Sequence, residues 1–189
     1  NGRHPETRVD NYAEWGRRGG WSSSSGRGWA NLSNAPFRMY KRYTHEGGVA
    51  TPLIVHWPAG VKGKGALRHA PSHLIDIAPT CLAAAGLEGK GMEGESLLPV
   101  FAQDQKKERT LFWEHEGNRA VRKGDYKLVA MHNTPWELYD MSKDRSELKD
   151  LASAMPKKTT ELRSAWEAWA NRVGAKPWDE VNVKKKKKK

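Results

Sequence analysis

The residues best suited to chemistry lie in a cationic segment that leads into a Glu-Gly-Gly turn. Lys41 precedes this turn, which is formed by Glu46, Gly47 and Gly48. Glycine permits a backbone path that a Cβ would forbid, so the chain can turn tightly here. An ammonium is a compact point charge, and residues that lead into turns often meet ligands. Lys41 is therefore a candidate for contact with an anionic ligand, against the alternative of a solvated surface lysine.

Two regular elements are predicted to position this turn. Residues 37–43 are predicted to be helical, with Asn34 as the N-cap and Pro36 in the first turn. Residues 53–57 form a short run rich in β-branched residues and bounded by prolines. Such a run predicts a buried strand rather than a helix. The turn would then join a helix to a strand of the core.

Three blocks of the sequence resemble the sulfatase family, and in particular the bacterial arylsulfatases. The first comprises NAPFRMYK, HEGG and TPLI within residues 34–54, and the second is HLIDIAPT at residues 73–80. The third comprises FWEHEGNRAVR, GDYKLV and WELYD within residues 112–140. The match extends from about residue 29 to about residue 178, in the family's order. The resemblance implies the C-terminal part of an alkaline-phosphatase-like α/β sulfatase fold.

The resemblance implies an arylsulfatase, a hydrolase of sulfate monoesters that uses calcium and a formylglycine nucleophile. Preorganised cations and a divalent metal stabilise the negative charge that develops on sulfuryl oxygens. Lys41 matches the family lysine that contacts the substrate sulfate, so it is the predicted catalytic and substrate-binding residue. The formylglycine motif, Cys/Ser-x-Pro-x-Arg, is absent, and Cys81 is followed by Leu-Ala-Ala. The nucleophile and most calcium ligands are expected outside this chain, which alone should be inactive.

One metal ligand is expected within the chain. Asn1, followed by Gly2, matches the Asn of the family's Asp-Asn-Gly metal motif. A competing pair, Asp10-Asn11, follows a polar stretch, whereas the family pair follows a hydrophobic strand, so it ranks lower. A lone Asn offers a single oxygen to a hard cation such as calcium.

Other ionisable residues are predicted to have structural roles. Asp76 stands where the family keeps an acid and is expected to be a hydrogen-bonding group. His45 precedes the glycine turn at a position that varies in the family, and His115 is expected to be a hydrogen-bonded sheet residue. Glu46 is expected to satisfy backbone donors around the turn rather than to act as an acid or base. Cys81 is expected to be a small buried apolar residue.

The remaining elements follow from periodicity and caps. Residues 72–85 predict a helix with Ser72 as its N-cap, Gly86 just past its end, and a kink or restart at Pro79. Four β-forming stretches predict an antiparallel sheet, with a hairpin turn at residues 123–125. These stretches are residues 110–114, 118–122, 126–131 and 136–139. A helix follows at residues 156–173, and its apolar stripe packs on the sheet. The stripe is formed by Leu162, Trp166, Trp169 and Val173.

The chain is predicted to comprise three segments. Residues 1–105 belong to the catalytic domain, residues 106–183 form a small antiparallel α+β subdomain, and residues 184–189 are a poly-Lys tail. The tail carries six lysines of the +11 net charge and is expected to be disordered or artificially appended. A nucleic-acid or anionic-surface role for the tail is the alternative. Residues 22–28 read as a loop near the substrate mouth, which Trp21 and Trp29 either line or anchor.

Composition restricts the class of protein further. A single cysteine excludes a disulfide framework within the chain. No stretch approaches the roughly 18 apolar residues of a membrane span. We expect a small-molecule or carbohydrate sulfate ester as partner, no nucleic acid, and no membrane span, with the oligomeric state open. The resemblance implies a periplasmic or secreted protein, although no export signal is visible.

Two rival functions stay open at this point. One is a phosphonate monoester or phosphodiester hydrolase of the same fold. The other is a non-catalytic module that binds sulfated polysaccharide through its basic surface.

Overall fold

The computed structural model describes residues 26–62, 65–105 and 108–182. In the sequence of these residues, helices both precede and follow the strands of one antiparallel sheet. A 3-10 turn, Leu74–Asp76, immediately precedes the third helix. In chain order the elements are α1 (Gly26–Ser33), α2 (Glu46–Val49), α3 (Ile77–Ala84), α4 (Leu98–Ala102), β1 (Thr110–His115), β2 (Asn118–Lys123), β3 (Tyr126–Ala130), β4 (Glu137–Asp140), α5 (Pro156–Val173) and α6 (Trp178–Val181).

The sheet is a simple antiparallel meander in the order β1-β2-β3-β4. Lys123 pairs with Tyr126, which leaves Gly124 and Asp125 as a two-residue hairpin loop. Gly124 has a φ of 58°, a left-handed conformation that glycine adopts without strain. The predicted four strands and their hairpin turn are confirmed.

One face of the sheet packs against α5. Val121, Leu128 and Leu138 project from the three successive strands β2, β3 and β4 and are buried with Leu162 of the helix. Their registers pair Val121 with Leu128 and Leu128 with Leu138, so they form a row across the sheet. Trp166 joins this cluster as a partly buried neighbour.

The predicted bounds of α5 are confirmed. The helix begins with Pro156. Proline has no backbone N–H, but the N–H groups of a first helical turn have no carbonyl partner within the helix, so no hydrogen bond is lost. Gly174 ends it with a φ of 70°. Along the predicted stripe, the Trp169 ring stacks on Phe112 of β1 with 5.2 Å between ring centres. Val173, at the C-terminal end of the stripe, is exposed.

The helix predicted at residues 37–43 is wrong. The helix in this region is α1, which ends at Ser33, and the Asn34 side chain donates to the Ala30 carbonyl at 2.6 Å instead of capping an N-terminus. Residues 37–43 form turns, in which Met39 and Arg42 have positive φ values of 63° and 100°. These left-handed conformations are incompatible with a continuous right-handed helix.

The strand predicted at residues 53–57 is not present. The segment has no strand partner among the described residues, and Ile54 is 90% exposed. A β-branched run acquires a ladder only where another strand lies beside it. The segment therefore shows its apolar side chains on the surface of the described part of the chain.

The helix predicted at residues 72–85 begins later and in two steps. His73, not Ser72, is the N-cap of the 3-10 turn, and its backbone N–H donates to the Asp76 carboxylate at 2.7 Å. The chain restarts as α3 at Ile77, which places Pro79 in the first helical turn where its ring is tolerated. Gly86 follows the helix with a φ of 74°, as predicted. The prediction of a buried Cys81 is wrong, because this side chain is exposed.

Several expectations fall near or outside the limits of the described structure. Residues 26–28 of the predicted loop are the first turn of α1, and Trp29 on that helix is 67% exposed, so it is not an anchor to the core. Trp21 and residues 183–189 lie outside the described residues. The boundary predicted near residue 105 falls between α4 and β1 and stays a prediction. No helix in the described ranges is both long and apolar enough to cross a bilayer.

Candidate functional site

Lys41 is exposed on a tight turn. Its neighbours Met39 and Arg42 both have left-handed backbone conformations, which cost a non-glycine residue of the order of 1–3 kcal/mol and often occur at functional sites. Within the described part of the chain, the Lys41 ammonium makes no hydrogen bond or ion pair. The side chain is therefore available to a ligand, while its backbone is held in an unusual shape.

The two glycines hold this shape because other backbone passes directly over them. The Gly47 N–H donates to the Arg38 carbonyl at 2.8 Å. A Cβ on Gly47 would lie 2.2 Å from the Met39 carbonyl oxygen, and one on Gly48 would lie 2.0 Å from that of Tyr43. Neither distance is possible for real atoms, so both positions require glycine. Residues 38–43, which we call the Lys41 turn, therefore pack directly against α2.

A cluster of four charged side chains, three of them buried, lies beneath this turn. Lys127 of β3 is fully buried, and its Nζ lies 3.0 Å from Glu46 Oε1 and 2.9 Å from Glu147 Oε1. The second Glu46 oxygen accepts a hydrogen bond from Arg145 at 3.1 Å, and the second Glu147 oxygen accepts from the Glu46 backbone N–H at 2.9 Å. We call these four side chains the Lys127 cluster. Burial opposes ionisation of Glu46, yet the facing Lys127 and Arg145 keep its pKa below the ordinary value.

The prediction for Glu46 is therefore wrong in its partners. Its side chain does not satisfy backbone donors around the turn; it forms ion pairs with two cations that are distant in sequence. The Glu46 backbone N–H is satisfied from outside the turn, by Glu147. Sequence reasoning missed Lys127 and Glu147. One signal was present, because Lys127 directly precedes the apolar run Leu128–Val129–Ala130 in a strand of the sheet interior, where lysine is rare unless it is paired.

A second polar group anchors the start of the turn. Arg38 Nη1 donates to the Tyr139 hydroxyl at 2.7 Å and to the Glu147 carbonyl at 2.8 Å. The Tyr139 hydroxyl donates in turn to Glu137 Oε2 at 2.6 Å, and His45 Nε2 lies 3.3 Å from the same oxygen. The hydrogen bond with His45, followed by the one from Tyr139, lowers the pKa of Glu137 to about 2, against the opposing effect of burial. Burial and the adjacent Glu137 carboxylate raise the pKa of Tyr139.

The far side of the turn is tied to the β1–β2 hairpin. Arg42 Nε lies 2.5 Å from Glu116 Oε2, and the Asn118 side chain donates to the Arg42 carbonyl at 3.2 Å. Both arginines that flank Lys41 are therefore paired. The buried His45 fits its predicted structural role. His115 is the sheet residue predicted, since it ends β1 and its carbonyl accepts a hydrogen bond from the Asn118 side chain, although its own side chain is exposed.

Asp76 has the structural role predicted for it. Its fully buried carboxylate accepts two hydrogen bonds from Arg109, at 2.6 and 2.9 Å, and others from the backbone N–H groups of His73 and Glu95. Burial opposes ionisation, but these donors hold the pKa of Asp76 below its usual range. The family acid at this place is thus a link between the α3 region and the sheet.

The metal prediction cannot be placed on the described residues. Asn1 and the competing Asp10-Asn11 pair lie outside them. Among residues 26–62, 65–105 and 108–182, no group of three or more His, Cys, Asp or Glu side chains could hold a metal ion. Calcium and the ligand Asn1 therefore stay predictions.

A family model described as "N-sulphoglucosamine sulphohydrolase, C-terminal" matches residues 37–169. The chain belongs to the sulfatase family. The match covers the Lys41 turn, the Lys127 cluster and most of α5, so these elements are parts of the sulfatase fold. The predicted family membership is confirmed.

Individual sulfatases show the same relationship. An uncharacterized sulfatase of Schizosaccharomyces pombe is 31% identical over 163 residues, which cover 77% of this chain and 29% of that protein. The N-acetylgalactosamine-6-sulfatase of Sus scrofa is 36% identical over 100 residues, 50% of this chain and 19% of that protein. The chain thus spans less than a third of the length of these sulfatases.

A solved structure confirms the fold. The crystal structure of Ps i-CgsB in complex with k-i-k-neocarrahexaose superimposes with a TM-score of 0.65 at 26% identity. The match covers 74% of this chain and 34% of that protein. The fold class, the C-terminal part of an alkaline-phosphatase-like sulfatase, is therefore the one predicted.

Proposed function

We propose that the protein is an arylsulfatase-type sulfuric ester hydrolase that cleaves a sulfate monoester on a carbohydrate, with Lys41 contacting the sulfate. The observation that carries this proposal is the geometry of the Lys41 turn. The exposed Lys41 side chain extends from a backbone that two obligatory glycines and two anchored arginines hold in place. A cation placed beside an oxyanion stabilises the charge that develops in the transition state.

A carbohydrate substrate is favoured by the relatives. The matching family model is named after N-sulphoglucosamine sulphohydrolase, and one relative is an N-acetylgalactosamine-6-sulfatase. The structural neighbour was solved with k-i-k-neocarrahexaose. Two of these names are of enzymes that remove sulfate from an amino sugar, and the third protein holds an oligosaccharide. We extend a saccharide substrate to this protein.

The calcium ion and the formylglycine belong to the proposal as expectations. Calcium would supply charge neutralisation at the sulfate, with Asn1 as one ligand. In this chain, Lys41 orients the sulfate and offsets its charge, and the packing of residues 38–43 on α2 fixes the backbone from which its side chain extends.

The proposal is tested by Lys41→Ala in the full-length protein. We expect kcat/KM for 4-nitrophenyl sulfate and for a hexosamine 6-sulfate to fall by roughly tenfold or more, the scale of one lost charged contact to the reacting group. The matched control is Lys90→Ala, because Lys90 is highly exposed and lies on a different loop. Unchanged kinetics in Lys41→Ala would remove Lys41 from the site.

The same assay separates the rival functions. Turnover of bis(4-nitrophenyl) phosphate that exceeds turnover of both sulfate esters would favour a phosphodiester hydrolase. A protein that hydrolyses none of these substrates but binds sulfated polysaccharide in a salt-sensitive manner would be a binding module.

A further inference from the structure

We infer that Lys127 and Glu46 are positioning residues for Lys41, which they hold in place from beneath the turn. The inference rests on the proposed role of Lys41 as the sulfate contact. Lys127 does not approach a substrate, because its side chain is fully buried and its ammonium lies between Glu46 and Glu147. Its effect on catalysis would be transmitted through the backbone of the turn.

The connection from Lys127 to Lys41 is short and continuous. Lys127 binds the side chain of Glu46, the first residue of α2. The next residue, Gly47, holds the Arg38 carbonyl through its N–H, and Gly48 lies directly under the Tyr43 carbonyl. The backbone on both sides of Lys41 therefore rests on α2, and α2 rests on Lys127.

Charge balance makes this support sensitive to a single change. Glu46 and Glu147 face the same ammonium, and both carboxylates are buried. Without Lys127 only the half-exposed Arg145 would still pair with Glu46, and repulsion between the two buried carboxylates would push α2 away from the sheet. Arg42 stays tied to Glu116 and Asn118, so the turn would tilt rather than detach.

A role limited to stability would not need these groups. Replacement of a buried ion pair by apolar residues is often neutral or stabilising, so ionic groups in a core are weak evidence of stabilisation. Directional ion pairs instead fix one geometry. An apolar core packs against α5 on the opposite face, and a second apolar cluster that includes Val129 and Met141 is buried on the same face as Lys127. Both faces therefore have apolar contacts for stability, and the Lys127 cluster adds orientation of the turn that it contacts.

The test is a double-mutant cycle between Lys127→Met and Lys41→Ala in the full-length protein. We expect Lys127→Met to lower kcat/KM for the sulfate ester by about tenfold, mainly in kcat, because small displacements of a catalytic group are costly. In the Lys41→Ala background the same change should cost less than about twofold, since the residue that it positions is gone. Independent effects, with a further tenfold loss in the double variant, would overturn the inference.

Lys123→Met is the matched control. Lys123 lies on the adjacent strand and pairs with Glu161 at 2.9 Å, but this pair is exposed and is remote from the turn. We expect its kcat/KM to stay within about twofold of the parent protein. A tenfold loss in this control would show that any lost lysine in the sheet has the same effect, and would count against the inference.

Glu46→Gln is the second variant, for use if Lys127→Met does not fold. It keeps the side-chain volume and loses one charge, and we expect a loss of about threefold that again disappears in the Lys41→Ala background. If neither variant folds, the cluster is a stability element and the inference is wrong. If Lys41→Ala alone has no effect, the proposed role of Lys41 fails first, and the positioning role fails with it.

Discussion

On one face of the sheet, Val121, Leu128 and Leu138 pack against a helix that follows them closely in the chain. On the other face, Lys127 meets Glu46, which lies far upstream and belongs to the Lys41 turn. The first face joins neighbouring elements, and we call it the apolar face. The second also buries an apolar cluster of Ala120, Val129, Tyr139 and Met141, but its contacts with distant segments are ionic, and we call it the ionic face. Apolar burial is non-directional and supplies stability, whereas charged hydrogen bonds specify orientation, so the Lys41 turn rests on the face that can orient it.

This comparison predicts that the largest loss of stability comes from the apolar face. In Trp166→Ala we expect the free energy of unfolding to fall by about 3 kcal/mol, because the ring packs on the core cluster and its N–H bond to the Trp113 carbonyl is lost. Urea denaturation measures the change. Trp29→Ala is the control, since Trp29 is exposed and should cost less than about 0.5 kcal/mol. A loss below about 1 kcal/mol in Trp166→Ala would show that α5 does not pack as described.

The ionic side should show a smaller loss of stability with a larger loss of activity. In Gly48→Ala the new Cβ would meet the Tyr43 carbonyl, so we expect about 2 kcal/mol of destabilisation and a loss of sulfatase kcat/KM of about tenfold or more. Gly28→Ala is the control, because a Cβ there meets nothing within 4 Å and alanine favours a helix. Full activity in Gly48→Ala would mean that the turn tolerates displacement.

The smallest effect is expected from acid titration of the ionic side. The folded pKa of Glu137 is about 2, below its ordinary value of 4.5. Its contribution to stability is therefore present above about pH 4.5 and is lost as the pH falls towards 2. In Glu137→Gln we expect the free energy of unfolding to depend less steeply on pH in this window, by about 1 kcal/mol, since solvent screens the partly exposed carboxylate.

Denaturation curves at several pH values between 2 and 6 measure this difference. Glu88→Gln serves as the control for removal of one negative charge, because the Glu88 side chain is exposed. Parallel curves for Glu137→Gln and the parent protein would show that the bonds with His45 and Tyr139 do not favour the ionised carboxylate.

The apolar face was predictable because its information is local. The stripe on α5, the proline and glycine at its ends, and the hairpin at Gly124 each depend on residues within a few positions of one another. The tight turn predicted at Glu46, Gly47 and Gly48 is instead the short helix α2. The sequence indicated that glycine matters there, but not that the backbone of residues 38–43 is what excludes a Cβ.

The ionic face was not predictable, since its partners are brought together only by the fold. No local pattern joins Glu46 to Lys127, or Arg38 to Tyr139 and the Glu147 carbonyl. The failed strand at residues 53–57 has a related cause. A β-forming composition leads to a strand only where a partner strand lies alongside, and none of the described strands lies beside this segment. The predicted metal ligand Asn1 and the role of Lys41 stay predictions.

The bond between Asp76 and Arg109 has a consequence for how the protein comes apart. Arg109 stands directly before β1, whereas Asp76 opens α3, and their paired groups are almost entirely shielded from water. Partial unfolding that released only one of these segments would leave one of the two charges buried without its partner. The α3 region and the sheet should therefore denature as one cooperative unit, and a protease should find no long-lived form in which only one of them has opened.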